Sequence, residues 1–280
     1  MNRRDLEPGI HMHVPPQETY AAYLKLDVLL SAQVPRTTEH DEVLFIIQHQ
    51  TSELWLKLMI HELDLAVSLV KRDELEPSFK VLTRVGHIQR MLFEQWSVLE
   101  TLTPFEYLKF RDALGRSSGF QSWQYRAVEF ALGNKSAEGL LAFTQGTTEH
   151  QVLSARLSQP SLYDEFLRHL KRRGHAVPAE RLERDFTQPY ERHPGVVKVF
   201  QDIYQSPERA WDAYEMCEKL VDMEQRFQLW RYRHMLTVQR IIGFSPGTGG
   251  SSGVAFLKRA LDLSFFPELW DVRTALTPKR

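Results

Sequence analysis

The stretch Phe45-Ile46-Ile47-Gln48-His49-Gln50-Thr51-Ser52-Glu53-Leu54-Trp55 decides the fold class. It is the middle of a segment whose apolar residues recur at helical spacing across residues 40–71, with Leu44, Ile47, Thr51, Leu54, Leu58, Leu65 and Leu69 marking the expected buried face. Glu39, Asp41 and Glu42 make its first turn acidic, as the helix dipole favours. Phe45 and His49 stand four apart and share a face. An apolar wall beside one titratable, hydrogen-bonding ring suits a flat aromatic ligand with a polar edge. A histidine in a long buried helix also serves as an ordinary core residue, so the pair alone does not make a site.

Working outward, residues 18–33 form a short amphipathic segment ending before Pro35. Residues 78–102 read as helix up to Pro104, which suits the first turn of a further helix over residues 105–114. Shorter helices are expected over 120–132 and 160–173, and 174–196, with Pro178, Pro189 and Pro194, as irregular connection. A second long helix runs from about Pro207 to Ile242 and stops at Gly243. Sustained period-two alternation is nowhere present. The expectation is an all-α, single-domain bundle over residues 1–280, two long helices with several shorter ones around them.

Composition narrows the function. The 280 residues carry a net charge of −1, which argues against a nucleic-acid binder. The basic cluster Arg168, His169, Lys171, Arg172, Arg173 is short and reads as a solvated helix end. Cys217 is the single cysteine, so no intrachain disulfide or cysteine-based zinc site can form. Arg3 and Arg4 are followed by Asp5, Glu7 and Pro8, where a signal peptide needs an apolar run. No segment approaches the ~20 apolar residues of a membrane span. A cytoplasmic protein with neither membrane nor nucleic-acid partner is expected.

On the second long helix Phe227, Trp230, Arg231, His234, Val238 and Ile241 share one stripe. A lone histidine in an apolar helical wall is how many haem proteins present an axial ligand, and also how a core histidine looks. Other metal sites fit worse: no histidine follows a glutamate by three residues, as a di-iron bundle needs, and there is no His-Glu-x-x-His zinc motif. Tyr107 and Arg111 lie four apart on another helix, a phenol beside a guanidinium fork that matches a carboxylate, or else a surface Arg–Asp arrangement with Asp112. The loop Gly247-Thr248-Gly249-Gly250-Ser251-Ser252-Gly253 lacks the Gly-Lys-Ser/Thr ending of a P-loop and any surrounding βαβ unit. It and Ser117-Ser118-Gly119 remain backbone-permissive loops, able to pack closely on a ligand.

Together these blocks resemble the tryptophan 2,3-dioxygenase family of haem enzymes. The blocks that carry the resemblance are Tyr20-Ala21-Ala22-Tyr23-Leu24, His40 to Trp55, Glu94-Gln95-Trp96 and Gly119-Phe120-Gln121-Ser122. They continue with Phe227 to His234, Gly247 to Gly253 and Phe265-Phe266-Pro267-Glu268-Leu269, so nearly the whole chain is covered, most weakly over residues 134–205. The resemblance implies a bundle enclosing one haem b per subunit, ferrous when active, with His234 as the axial ligand of the iron and Trp96, Ser118 and Gly119 against the haem. It implies that Phe45, Ile46, Ile47, Gln48, His49, Tyr107, Arg111 and Thr248 bind the substrate. His49 would meet the indole N–H, Arg111 the carboxylate and Thr248 the amino-acid group. Tyr20, Tyr23 and Leu24, in an N-terminal element over residues 1–38, would close the pocket of a neighbouring subunit in a homotetramer. The implied reaction takes L-tryptophan and O2 to N-formyl-L-kynurenine, the first step of the kynurenine pathway. Its rivals are a related haem dioxygenase acting on a broader set of indoleamines, a haem sensor or carrier, and a plain helical scaffold.

Overall fold

The computed structural model describes residues 5–276; the pair Arg3 and Arg4 lies outside them. Among the described residues every regular element is helical, as the all-α reading expects. In chain order the helices are α1 (Tyr20–Leu24), α2 (Leu26–Leu29), α3 (Asp41–Lys71), α4 (Leu75–Glu94), α5 (Trp96–Leu99), α6 (Pro104–Phe110) and α7 (Trp123–Leu132). They continue as α8 (Thr148–Ser158), α9 (Leu162–Arg172), α10 (Ala179–Leu182), α11 (Pro194–Gln205), α12 (Trp211–Ile242), α13 (Val254–Arg259) and α14 (Pro267–Ala275). None is long and apolar enough to cross a membrane.

The termini of α3 are held by side chains. At its start the Glu42 carboxylate folds back to accept the N–H groups of Arg36 and Thr37 (2.8 Å each) and the Thr37 hydroxyl (2.6 Å). At its end the orphan carbonyls of Val70 and Lys71 accept from Arg172 Nη2, each at 3.2 Å. Asp73 then turns the chain at φ 64° and receives His169 Nδ1 at 2.7 Å. The two long helices sandwich α4. Met59, Leu63 and Val70 of α3 and Val85 and Ile88 of α4 belong to the same buried cluster as Met216, Leu220 and Phe227 of α12. Each such side chain contributes about 1.5–3 kcal/mol on burial. The Arg226 side chain of α12 lies over Gly86 of α4, its Nη1 2.6 Å from where a Cβ would stand.

Several expectations need correction. The buried face of α3 is Leu56, Met59, Ile60, Leu63, Ala66, Leu69 and Val70, and of the expected set only Leu69 is fully buried. Ile47, Leu54 and Leu65 are exposed by 44%, 49% and 43%. The helix is apolar on two sides, and packing against α4 selected the other one. The long helix α12 begins at Trp211, because Pro207–Arg209 form a 3-10 turn and Ala210 is not helical. The helix expected over 78–102 starts at Leu75 and breaks at Gln95 before α5. The segment over 18–33 is broken by Lys25 at φ 52°. Within the irregular stretch 174–196 lie α10 and the start of α11, and neither α8 nor α11 has a counterpart in the sequence reading.

Candidate active site

One wall of the site is α12. His234 stacks on Trp96 of α5 with ring centroids 4.8 Å apart and planes 11° from parallel, and on Trp230 at 5.8 Å. Burial strips the imidazole of water and pushes its pKa down to about 4, with the charge of His49 adding to the shift. It makes no hydrogen bond to any described residue. The product is a neutral imidazole with a lone pair free for a ligand. Behind it, Arg231 is buried and ion-paired to the buried Glu129 at 2.8 Å, and also donates to Tyr125 Oη (3.2 Å) and the Ala260 carbonyl (3.0 Å). That network fixes the turn from which Trp230 and His234 project.

A second wall is α3. Phe45 and His49 have ring centroids 4.2 Å apart, as the four-residue spacing requires. His49 Nδ1 lies 2.7 Å from the Phe45 carbonyl oxygen, so the neutral ring carries its proton there and leaves Nε2 as an acceptor. Burial lowers the His49 pKa, against the opposing pull of the Phe45 carbonyl and of Glu53. Tyr107 and Phe110 of α6 close this side, 6.0 and 5.7 Å from the Phe45 ring. Burial raises the Tyr107 phenol, with the neighbouring Arg111 guanidinium acting the other way. Phe110 was missed in the sequence reading, although its three-residue spacing from Tyr107 was the available signal.

The third side is polar and built from two loops. Thr248 Oγ1 donates to the Ser117 carbonyl, joining the loop after α12 to the loop after α6. Gly249 lies against Ser118 so closely that a Cβ there would be 2.6 Å from Ser118 Cβ, which explains the glycine. Ser118 Oγ accepts from Phe120 N at 3.3 Å and starts the 3-10 turn Gly119–Gln121. Arg111 Nη2 donates to the Pro246 carbonyl at 2.8 Å, while its buried Nε has no partner. Without spatial context both loops looked ordinary; the fold brings them to Arg111.

Phe45, His49, Tyr107, Arg111, Ser118 and Thr248 are thus linked through ring contacts, hydrogen bonds and loop packing, while Trp96 and His234 form a separate stacked pair that His49 reaches electrostatically. Other candidates stand differently. Ile46 is half-buried, Gln48 is buried with its Nε2 unpartnered, and Ile47 lies about 200° round the helix from Phe45, on the exposed side. Gly119 is exposed. Tyr20, Tyr23 and Leu24 are exposed by 76%, 83% and 39% and make no ring contact or side-chain hydrogen bond with the site residues of their own chain.

Comparison with known proteins identifies the relatives of the chain. A family model described as tryptophan 2,3-dioxygenase matches residues 9–151 and 144–276. A tryptophan 2,3-dioxygenase of Myxococcus xanthus is 67% identical over 280 residues, covering 99% of this chain and 96% of that protein. Similar proteins of the same name from Serratia proteamaculans and Kineococcus radiotolerans are each 58% identical. They cover 99% and 98% of this chain, and 99% and 97% of their own.

Proposed function

The chain belongs to the tryptophan 2,3-dioxygenase family, and from that premise we propose that the space between His49 and His234 is where its reaction takes place. The protein is an oxidoreductase of the dioxygenase class. Its reaction inserts both atoms of O2 across the indole C2–C3 bond of L-tryptophan to give N-formyl-L-kynurenine, the first step of the kynurenine pathway of tryptophan degradation.

The observation that carries the site assignment is a pair of desolvated, neutral imidazoles near enough for the charge of one to be felt at the other, one without any hydrogen bond and one with its proton already committed. His234 has the lone pair an iron needs, and Trp96 and Trp230 offer flat apolar surface beside it. Among the described residues no group of three His, Cys, Asp or Glu side chains could hold a bare metal ion, so the donor set suits a macrocycle with one protein ligand. In this reading His234 would hold haem b, one per subunit and ferrous in the active form, with Trp96, Ser118 and Gly119 among the residues that would receive it. When bound, the haem supplies the dioxygen chemistry.

The protein's own residues bind, orient and exclude water. Phe45, Tyr107 and Phe110 wall the indole. His49 Nε2 accepts the indole N–H, and its low pKa keeps it an acceptor at neutral pH. The indole N–H is a very weak acid, so His49 positions it rather than removing its proton. Arg111, with its spare Nε, takes the carboxylate, and Thr248 meets the ammonium from the loop it closes. Tyr20, Tyr23 and Leu24, exposed on their own chain, cover the pocket of a neighbouring subunit in a homotetramer. The lone Cys217 is free and buried, which suits a cytoplasmic enzyme.

The test is aerobic turnover of L-tryptophan by haem-reconstituted, reduced protein under labelled dioxygen. N-formylkynurenine carrying both labelled atoms is expected. Haem held by the protein with no product would overturn the assignment in favour of a sensor or carrier, and equal rates on D-tryptophan and tryptamine would favour a broader indoleamine substrate.

A further inference from the structure

The two walls of the site are joined by a six-residue span, Gln95 to Glu100, in which only Trp96 has so far been given a role. At one end Gln95 Nε2 donates to Ser52 Oγ at 2.6 Å, and Gln95 Oε1 lies 3.2 Å from Thr51 Oγ1. Both partners sit on α3 within one turn of His49, and Ser52 Oγ in turn donates to the Gln48 carbonyl at 2.9 Å. At the other end the Glu100 carboxylate takes Arg233 in a two-point grip, Nε to Oε1 at 2.8 Å and Nη2 to Oε2 at 3.0 Å. Thr237 Oγ1 adds a third contact at 3.2 Å. Arg233 precedes His234 directly and Thr237 follows it by three residues, so this grip is on the His234 turn of α12.

Between the two grips lies Trp96, stacked on His234. Because His234 has no hydrogen bond of its own, the plane of its ring is set by what it stacks on. We propose that the Gln95–Glu100 span is the spacer that sets the width of the site, with Gln95 and Glu100 as positioning residues for the His49 and His234 walls respectively. The inference rests on the reading that His234 faces a haem and His49 an indole. The two grips differ in chemistry, a neutral amide on the substrate wall and a bidentate ion pair on the ligand wall, and so predict different losses.

The experiment uses full-length, haem-reconstituted protein with the variants Gln95→Met and Glu100→Gln. Glu100→Gln is expected to speed haem transfer to excess apomyoglobin by about tenfold or more and to shift or broaden the iron–histidine stretch in resonance Raman spectra. Its KM for L-tryptophan stays within about twofold, because the α3 wall keeps its own partner. Gln95→Met is expected to do the reverse, raising KM while haem transfer and the Raman band stay as in the wild type. Both variants moving both readouts together, or neither moving either, would overturn the proposal. Should one fail to fold, Ser52→Ala and Thr237→Val weaken the same grips more gently and are read in the same way. If His234→Ala holds haem as tightly as the wild type, it is the underlying reading of the site that fails.

Discussion

Replacing Arg111 with alanine is the most direct challenge to the substrate-side assignment. Its guanidinium has one donor committed to the Pro246 carbonyl and a buried Nε with none, so it can present a second edge to a carboxylate without giving up its anchor. A bidentate, charge-assisted contact of this kind is worth roughly 2–4 kcal/mol. The side chain stands at the rim, where solvent screens it, which places the loss toward the lower end of that range. That corresponds to about 30-fold in affinity. Losing the Pro246 contact also loosens the loop that carries Thr248, at a cost that does not depend on the substrate's carboxylate. The two effects separate by measuring the wild type and Arg111→Ala with L-tryptophan and with tryptamine, which lacks the carboxylate, as a competitor where it is not turned over. The penalty for L-tryptophan should exceed that for tryptamine by about 30-fold, tryptamine bearing only the cost of the loosened loop. An equal penalty for both ligands would refute a carboxylate role and leave Arg111 as a loop anchor.

Other outcomes follow from the same geometry. His49→Ala should lower kcat/KM by about tenfold, the worth of one neutral hydrogen bond, and leave measurable turnover; complete loss at normal haem content would show that His49 does more than position. Glu129→Ala removes the partner of the buried Arg231 and should cost about 3–5 kcal/mol in denaturant unfolding, whereas a loss under 1 kcal/mol would mean Arg231 finds another partner. Lys135, buried and donating to the Arg156, Leu157 and Gln159 carbonyls at the end of α8, is pushed down to about 8 by burial. The unfolded chain therefore binds the proton more tightly than the fold between pH about 8 and about 10.5, and stability gained from this group rises with pH across that window. The difference in unfolding free energy between the wild type and Lys135→Met should be flat below pH about 8 and grow above it; a difference that shrinks there would reverse the sign of the argument.

The helical class and the two long helices were legible because their apolar periodicity runs over many turns, and their ends carry acids, proline or glycine. The shorter α8 and α11 were not: α8 is amphipathic only weakly, and α11 opens at Pro194 inside a stretch whose prolines suggested loop. The start of α12 was misjudged for a related reason. Pro207 is a good first-turn residue, but here it opens a separate 3-10 turn. Of the site, the pairs four apart, Phe45 with His49 within α3 and Tyr107 of α6 with Arg111 at its C-terminal cap, could be seen in the sequence because helical geometry unites them. What joins Arg111 to Pro246, Thr248 to Ser117 and Gly249 to Ser118 spans more than a hundred residues, and no local pattern encodes it.

The misjudged face of α3 points beyond the single chain. Ile47, Leu54 and Leu65 follow helical spacing as faithfully as the buried set, yet they face outward, and they share that exposure with Tyr20, Tyr23 and Leu24. Side chains exposed by a little under half forgo roughly half of the about 1.5–3 kcal/mol that full burial brings, so a stripe of them is a standing incentive for association. A periodicity argument can show that a helix face is meant to be covered, but not by which chain. That is why the same apolar residues that misled the reading of the core are consistent with the proposed homotetramer, in which Tyr20, Tyr23 and Leu24 would complete a neighbour's pocket.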